Sequence, residues 1–140
     1  MTVRLAKPSD ARELKALNDA LQRLECSSVD YIEEFIGKNR HEIIIVAEFE
    51  GKLIGFCCGQ KFMSMCDEHD YAEITEIFVH PDYRRNGVGK QLIEYMNNEF
   101  KKIGVSRVQL MSGKTNETAH EFYRSVGFNG RWRMYFEKDV

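Results

Sequence analysis

The segment that decides the fold is Ile77-Phe78-Val79-His80-Pro81-Asp82-Tyr83-Arg84-Arg85-Asn86-Gly87-Val88-Gly89. It opens with an apolar run typical of a strand, and Pro81 stops that run because proline cannot donate to a β-ladder. Beyond the glycines, apolar residues recur at steps of three and four, as in a helix with one buried face: Val88, Leu92, Ile93, Met96, Phe100 and Ile103. The segment therefore predicts a strand, a short loop and a helix start in immediate succession.

A loop of this kind can receive an anion. The first backbone N–H groups of a helix have no intrahelical partner, and the helix dipole adds positive potential there. Gly87 and Gly89 would let a phosphate approach the backbone, and Arg84, Arg85 and Lys90 add three cations. Taken alone, the loop leaves one alternative open, a glycine-tolerant helix start with solvated arginines. The spacing argues against the dinucleotide fingerprint, which needs a third glycine, and against the nucleotide-hydrolase loop, G-x-x-x-x-G-K-[ST].

Size and composition narrow the class of protein. The 140 residues predict one domain over residues 1–140, and the net charge of −2 predicts neither a nucleic-acid nor a membrane partner. No run approaches the roughly 18 apolar residues of a membrane helix, and no secretory pattern is present. The four cysteines lack metal-site spacing, so we expect no metal and reduced thiols in the cytoplasm.

The rest of the pattern predicts a mixed α and β chain. Strands are predicted at residues 2–6, 41–50, 53–62, 71–79 and 105–111, followed by a closing strand pair at 128–137, while residues 63–70 are predicted to be a loop. Helices are predicted after an N-cap at Ser9, at residues 30–36, from residue 87 to 103 and at residues 116–126. The strand–helix–strand crossover between residues 71 and 111 implies one parallel pair in an otherwise antiparallel sheet.

Two motifs resemble those of one family. The quoted segment is similar to the hallmark of the GNAT family, the Gcn5-related N-acetyltransferases, whose loop Q/R-x-x-G-x-G/A is matched by Arg84, Gly87 and Gly89. A second family motif, N-x-x-A-x-x-F-Y-x-x-x-G-F, is matched by Asn116, Ala119, Phe122, Tyr123, Gly127 and Phe128. The resemblance implies the GNAT acyl-CoA N-acyltransferase fold: a central twisted, mostly antiparallel sheet of about seven strands, splayed at one parallel pair and flanked by about four helices.

The resemblance also implies acetyl-CoA as co-substrate and no metal. In relatives the pantetheine arm lies where the two parallel strands diverge and pairs with the backbone of the first strand. Carried over, Phe78 and Val79 supply that backbone, and an N–H near Val79 polarises the thioester carbonyl. Asn116 would touch the pantetheine arm. The pyrophosphate would be held by Arg84, Arg85, Asn86, Gly87, Val88, Gly89 and Lys90.

Candidate acid and base residues follow from the same resemblance and from strand geometry. The family motif places Tyr123 beside the cofactor sulfur, where it would protonate the leaving thiolate. Relatives with a carboxylate base place it at the positions of Thr75 and Glu73 here. Glu73 and Glu76 differ in parity and so are predicted to face opposite sides of the sheet, which favours Glu73. A bulge would reverse that parity and favour Glu76, and either carboxylate could simply be solvated.

The acceptor is less defined by the sequence. Between Ser9 and Glu34 there are seven acidic and three basic residues, and in GNAT enzymes this region commonly forms one wall of the acceptor site. An acidic wall would suit a cationic acceptor, although solvated helix faces explain the same charges. Trp132 could border the acceptor, pack internally or form a homodimer surface.

Three functions remain open on the sequence. The leading interpretation is an acetyl-CoA-dependent N-acetyltransferase that moves the acetyl group directly to a primary amine of a small cationic molecule. The alternatives are a protein lysine or N-terminal acetyltransferase and a non-catalytic acyl-CoA-binding sensor.

Overall fold

The computed structural model describes residues 1–131 and 133–140, so Trp132 and its predicted roles lie outside the described residues. Two short 3-10 turns, Pro8–Asp10 and Pro81–Tyr83, precede a helix or a loop. The regular elements are β1 (Thr2–Leu5), α1 (Ala11–Gln22), α2 (Val29–Lys38), β2 (Glu42–Phe49), β3 (Lys52–Ser64), β4 (Asp67–Val79), α3 (Val88–Lys102), β5 (Arg107–Leu110) and α4 (Glu117–Ser125).

The sheet has five strands in the order β1-β2-β3-β4-β5. The first three pairings are antiparallel and the last, β4 with β5, is parallel. This confirms the predicted mixed sheet with one parallel pair, although the strand count is five within the described residues rather than about seven. The parallel pair forms because α3 carries the chain back across the sheet between β4 and β5.

The two faces of the sheet bury separate clusters. On one face α3 packs Leu92, Met96 and Phe100 against Ile45, Cys57, Ala72 and Ile74. On the other face α1 packs Leu14 and Leu17 against Val46, Phe56 and Phe78, with Ile32 and Ile36 of α2 beside them. The helical spacing of three and four that predicted these helices is the spacing that fills both clusters. No helix within residues 1–131 and 133–140 is long and apolar enough to cross a bilayer.

The predicted loop at residues 63–70 is wrong. β3 continues to Ser64 and β4 begins at Asp67, and these two residues pair across a tight hairpin. Phe62 and Tyr71 stack with their ring centroids 5.4 Å apart. The residues after Met65 are polar and have weak β-propensity, so the sequence pattern did not predict a strand there. The pairing with β3 and the ring stack stabilise the strand, because cross-strand pairs can override weak β-propensity.

Two further predictions fail at the chain ends. A 3-10 turn precedes α1, so the helix begins at Ala11 and not directly after Ser9. The closing strand pair is absent from the described part of residues 128–137. Met134, Tyr135 and Phe136 are exposed, so the β-favouring composition there has no surface to pack against.

Candidate active site

The parallel strands diverge in the middle of β4. β5 pairs only with Tyr71–Ile74, so among the described strands Glu76–Val79 are paired with β3 alone and Thr75 has no partner residue. His80 N donates to Ile54 O on the β3 side at 2.9 Å. Because successive N–H groups of a strand alternate in direction, the N–H of Val79 points to the open side. We call this unpaired side of Thr75–Val79 the open edge.

A β-bulge lies at the start of the open edge. Cys58 is paired with Glu76 and Gly59 with Ile74, so Thr75 is the extra residue. Before the bulge the even-numbered side chain of Ile74 packs towards α3, and after it the even-numbered side chain of Phe78 packs towards α1. Glu73 and Glu76 therefore lie on the same face of the sheet, towards α1 and α2. The prediction that they face opposite sides is wrong, and the bulge is the reason.

The two carboxylates have different surroundings. Glu73 is held beside β5, where its Oε2 accepts a hydrogen bond from Gln109 Nε2 at 3.0 Å. Glu76 lines a cavity beneath α1 and α2, and burial raises its pKa. Gln22 opposes that rise and the charge of Glu42 adds to it. A carboxylate with a raised pKa is the better proton acceptor near neutral pH, so the environment favours Glu76 as a base.

The cavity has a volume of about 220 Å³ and lies between α1, α2 and strands β2 to β4. Most of its lining is apolar or aromatic, and its two charged groups are both carboxylates. The lining residues are Leu14, Asn18, Tyr31, Ile32, Phe35, Glu42, Ile44, Phe56, Cys58 and Glu76. We call it the acceptor cavity, because Glu76 connects it to the strand that carries the open edge.

Glu42 is a cavity residue that the sequence reading missed. Its Oε1 accepts long hydrogen bonds from Gln60 Nε2 at 3.4 Å and Thr75 Oγ1 at 3.5 Å. Burial raises its pKa, while these two donors lower it. In the sequence, Glu42 is a single carboxylate at the start of the apolar run Ile43-Ile44-Ile45-Val46. Its position relative to Glu76 depends on how β2 and β4 pair with β3, which the sequence alone does not show.

Tyr123 is half-buried on the other side of the strand. Its ring packs against Phe122 and Phe128, with centroid distances of 5.4 Å and 6.1 Å. Burial raises the pKa of its phenol, and the negative charge of the Glu76 carboxylate raises it further. The hydroxyl therefore keeps its proton at neutral pH, which is the state that an acid needs.

The loop between β4 and α3 has the backbone of an anion site. Arg85 and Gly87 have φ angles of 65° and 77°, which turn the chain into the first turn of α3. No described side chain caps that turn, and its first helical hydrogen bond runs from Gln91 N to Gly87 O. The first turn contains Lys90 and no acid, whereas the first turns of α1, α2 and α4 each contain one. An uncapped N-terminus with added cations suits a phosphate group.

Other residues predicted to hold the cofactor have defined contacts. Arg84 Nε donates to Val79 O at 2.9 Å, and its guanidinium lies 5.7 Å from the centroid of the Phe78 ring. Asn86 Nδ2 donates to the carbonyl of Arg84 at 3.2 Å, inside the loop. Asn116 caps α4, because its Oδ1 accepts from Ala119 N at 3.2 Å.

The second loop glycine serves helix packing. A Cβ on Gly89 would lie 3.0 Å from the Phe122 ring, closer than nearly all real contacts, whereas a Cβ on Gly87 would meet open space. Of the two glycines, Gly87 leaves the anion side open and Gly89 lets α4 approach α3. That approach fixes the position of Phe122, against which the ring of Tyr123 packs.

None of the acids predicted to form a wall from the first helices lines the cavity, and several of them are paired. Asp10 pairs with Arg4 at 2.7 Å, Lys15 pairs with both Asp19 and Glu25, and Lys38 pairs with Glu34. Glu13 instead accepts from Leu53 N at 2.8 Å. The negative charge that faces the cavity therefore comes from the sheet, through Glu42 and Glu76.

Two curated relatives share part of this chain. An uncharacterized N-acetyltransferase of Methanocaldococcus jannaschii is 38% identical over 96 residues, which are 68% of this chain and 42% of the relative. A [ribosomal protein bS18]-alanine N-acetyltransferase of Escherichia coli K12 is 35% identical over 79 residues, covering 56% of this chain and 49% of the relative. The chain thus spans about half the length of the curated relatives it matches.

A solved structure and a family model complete the comparison. An aminoglycoside N-acetyltransferase in complex with CoA has a TM-score of 0.85 at 22% identity, over 99% of this chain and 93% of that one. This likeness concerns the fold. The model of the acetyltransferase (GNAT) family matches residues 11–128. That match includes the open edge, the loop before α3 and Tyr123, and the chain therefore belongs to the GNAT acetyltransferase family.

Proposed function

We propose that this protein is an acetyl-CoA-dependent N-acetyltransferase that transfers the acetyl group directly to a primary amine. The observation that carries the proposal is the open edge of β4, which runs directly into the uncapped N-terminus of α3, with Tyr123 and Glu76 beside it. A long ligand with an anionic end and an amide-containing arm fits this arrangement. CoA has both parts, and in its acetylated form it supplies the reactive thioester.

The residues would divide the binding of the donor between them. The backbone N–H groups of Val88, Gly89 and Lys90 would receive the pyrophosphate, helped by the side chains of Arg85 and Lys90. The open edge at Val79 would pair with a pantetheine amide as a further strand does. By the same alternation the backbone groups of Phe78 point to β3, so Phe78 does not present them to the open edge. Arg84, which donates to Val79 O, would release this carbonyl to the pantetheine arm.

The chemistry of transfer needs a neutral amine, a stabilised oxyanion and a protonated thiol. Glu76 would take a proton from the acceptor ammonium, directly or through water, because an alkyl amine with a pKa near 10.4 is charged at neutral pH. The N–H of Val79 would donate to the thioester oxygen as negative charge develops on it. Tyr123 would protonate the departing thiolate.

Substitutions at two glycines separate donor binding from general stability. Gly87 and Gly104 lie at opposite ends of α3 with φ angles of 77° and 81°, and a Cβ on either would meet open space. Gly87→Glu and Gly104→Glu should each cost about 1 kcal/mol of backbone strain. Only Gly87→Glu adds a negative charge at the proposed pyrophosphate site. We expect it to weaken CoA binding at least tenfold in calorimetric titration, and undiminished affinity would defeat the loop assignment.

The acceptor class is tested by measuring thiol release from acetyl-CoA over a panel of amines and peptides. The leading proposal expects turnover with small primary amines. The relative that acts on the alanine of ribosomal protein bS18 supports a second candidate, a protein N-terminus, because one terminal residue is of a size that the acceptor cavity holds. Competition between peptides and amines separates these two, whereas tight CoA binding with no turnover on any acceptor would indicate a sensor.

A further inference from the structure

The acceptor cavity contains a pair of carboxylates that no described cation neutralises. Glu42 lies on β2 and Glu76 on β4, and both line the cavity. Neither forms an ion pair in the part of the chain that the structure describes. We propose that Glu42 is a specificity-determining residue that selects acceptors with one cationic amine on a short apolar stem. This inference rests on the proposed acetyltransferase function and names the acceptor class for it.

The residues that line the cavity include no positively charged side chain. A partly buried carboxylate loses hydration, and proteins normally compensate it with a cation or several good hydrogen bonds. Glu42 has only two long hydrogen bonds, at 3.4 Å and 3.5 Å, from neutral donors. A substrate ammonium group would supply the missing positive charge and three donors.

Other acids near the cavity do not share this property. Asp19 of α1, Glu34 of α2 and Glu25 between the two helices are already paired with lysines. Glu73 on β4 is bonded to Gln109. Glu42 and Glu76 are therefore the two groups through which the cavity can recognise positive charge.

The lining and size of the cavity define the rest of the acceptor. Leu14, Ile32, Ile44, Phe35 and Phe56 present apolar surface around the carboxylate pair. A volume of about 220 Å³ is below the range of about 300–1,000 Å³ that is typical of whole drug-sized ligands. The space suits a single amine with a few carbon atoms, and it excludes a large molecule with many charges from entering whole.

A binding experiment tests the inference without depending on turnover. Benzylamine and benzyl alcohol have nearly the same shape, but only benzylamine is cationic at neutral pH. Each is titrated calorimetrically into the wild-type protein saturated with CoA. We expect at least tenfold tighter binding of benzylamine, which corresponds to about 1.4 kcal/mol. Equal affinities would overturn the proposal without the need for any variant.

A matched pair of variants assigns the preference to Glu42. Glu42→Gln keeps the side-chain shape and removes its charge, and Glu34→Gln removes the same charge from the exposed face of α2. We expect Glu42→Gln to abolish most of the preference for benzylamine while its affinity for benzyl alcohol stays unchanged, which also shows that the cavity is folded. Glu34→Gln should keep the preference. Retention of the preference in Glu42→Gln would overturn the assignment.

The outcome is distinguishable from failure of the proposed function. If acetyl-CoA binds but no amine releases thiol, the acetyltransferase proposal fails whatever the titrations show. If amines are acetylated but the cationic preference is absent or independent of Glu42, only this inference fails.

Discussion

Glu76 and Tyr123 lie on two sides of the same strand with pKa shifts that suit a base and an acid. Burial is the main cause of both shifts, and it moves both pKa values upwards. For a carboxylate this makes proton uptake easier near neutral pH, and for a phenol it prevents loss of the proton. In the proposed mechanism, burial would therefore favour proton uptake by Glu76 and would keep Tyr123 in the protonated form that an acid needs.

Replacing Glu76 should change the pH dependence of turnover. The wild-type rate should fall as the pH drops through the raised pKa of Glu76, because the carboxylate must be unprotonated to act. Glu76→Gln should lower the rate about 10²-fold or more at neutral pH and less at high pH, where free amine is abundant. The check is a pH–rate profile of thiol release. Glu73→Gln serves as the control and should keep the wild-type profile, and the reverse result would make Glu73 the base.

Replacing Tyr123 should slow the chemical step and leave donor binding intact. Tyr123→Phe keeps the ring between Phe122 and Phe128 and removes only the hydroxyl. We expect kcat to fall about 10²-fold, with CoA affinity within twofold of wild type. Stopped-flow thiol release and calorimetry measure the two quantities. Full turnover would show that water or the thiol itself manages the leaving proton.

Some residues of the site could be predicted from the sequence, and others could not. The motifs located Tyr123 and the loop, because their residue types and spacing are local. The common face of Glu73 and Glu76 depends on one extra residue, Thr75, in the ladder with β3. A bulge is a property of two paired strands, so alternation along one strand could not reveal it. Glu42 was missed for the same reason.

At the scale of elements, the site depends on the second half of β4 having a partner on one side only among the described strands. Beyond Ile74 it pairs with β3, and the open edge presents the N–H of Val79. The adjoining α3 begins without a described side-chain cap, and Gly89 lets α4 pack closely on it. These three features come from different elements, yet they converge on one short stretch of chain.

A proline at position 79 tests the open edge directly. Val79→Pro removes one N–H donor, and because that donor points away from β3 the ladder should keep its hydrogen bonds. We expect kcat for thiol release to fall at least tenfold, since one proposed oxyanion donor is lost. Val79→Ala is the control for lost side-chain packing. Its thermal stability should be similar to that of Val79→Pro, but its turnover should be close to that of the wild type. Equal activity in the two variants would contradict a role for this N–H.

At the scale of the whole molecule, the order of most elements could be predicted from the sequence, but the extent of the β3–β4 hairpin and the structure of the last residues could not. Periodicity identified α1, α3 and the parallel crossover, because long amphipathic elements have strong patterns. The β3–β4 hairpin extended through a polar run, and the expected closing strands are absent from the described residues. Both errors occur where pairing with other strands, and not local composition, decides the conformation.

The carboxylate pair should also affect the stability of the fold. Glu42 and Glu76 have folded-state pKa values above their ordinary values, so each favours folding when protonated, below its unfolded pKa. This contribution is lost as the pH rises through the folded-state pKa. Glu76→Gln should therefore raise the melting temperature by about 1–2 °C at pH 7 and have little effect near pH 4. Thermal melts followed by circular dichroism at both pH values provide the check, and destabilisation at pH 7 would contradict it.

The open edge has a consequence for how the protein behaves in solution. An unpaired strand edge is a template on which another chain can add a strand, and such edges promote aggregation. Arg84 covers one end by donating to Val79 O, but Thr75–Val79 otherwise have no strand partner among the described residues on that side. A cofactor that pairs with this edge would shield it as a neighbouring strand does. Adding this cofactor while the protein is expressed and concentrated would then increase its solubility, in addition to enabling catalysis.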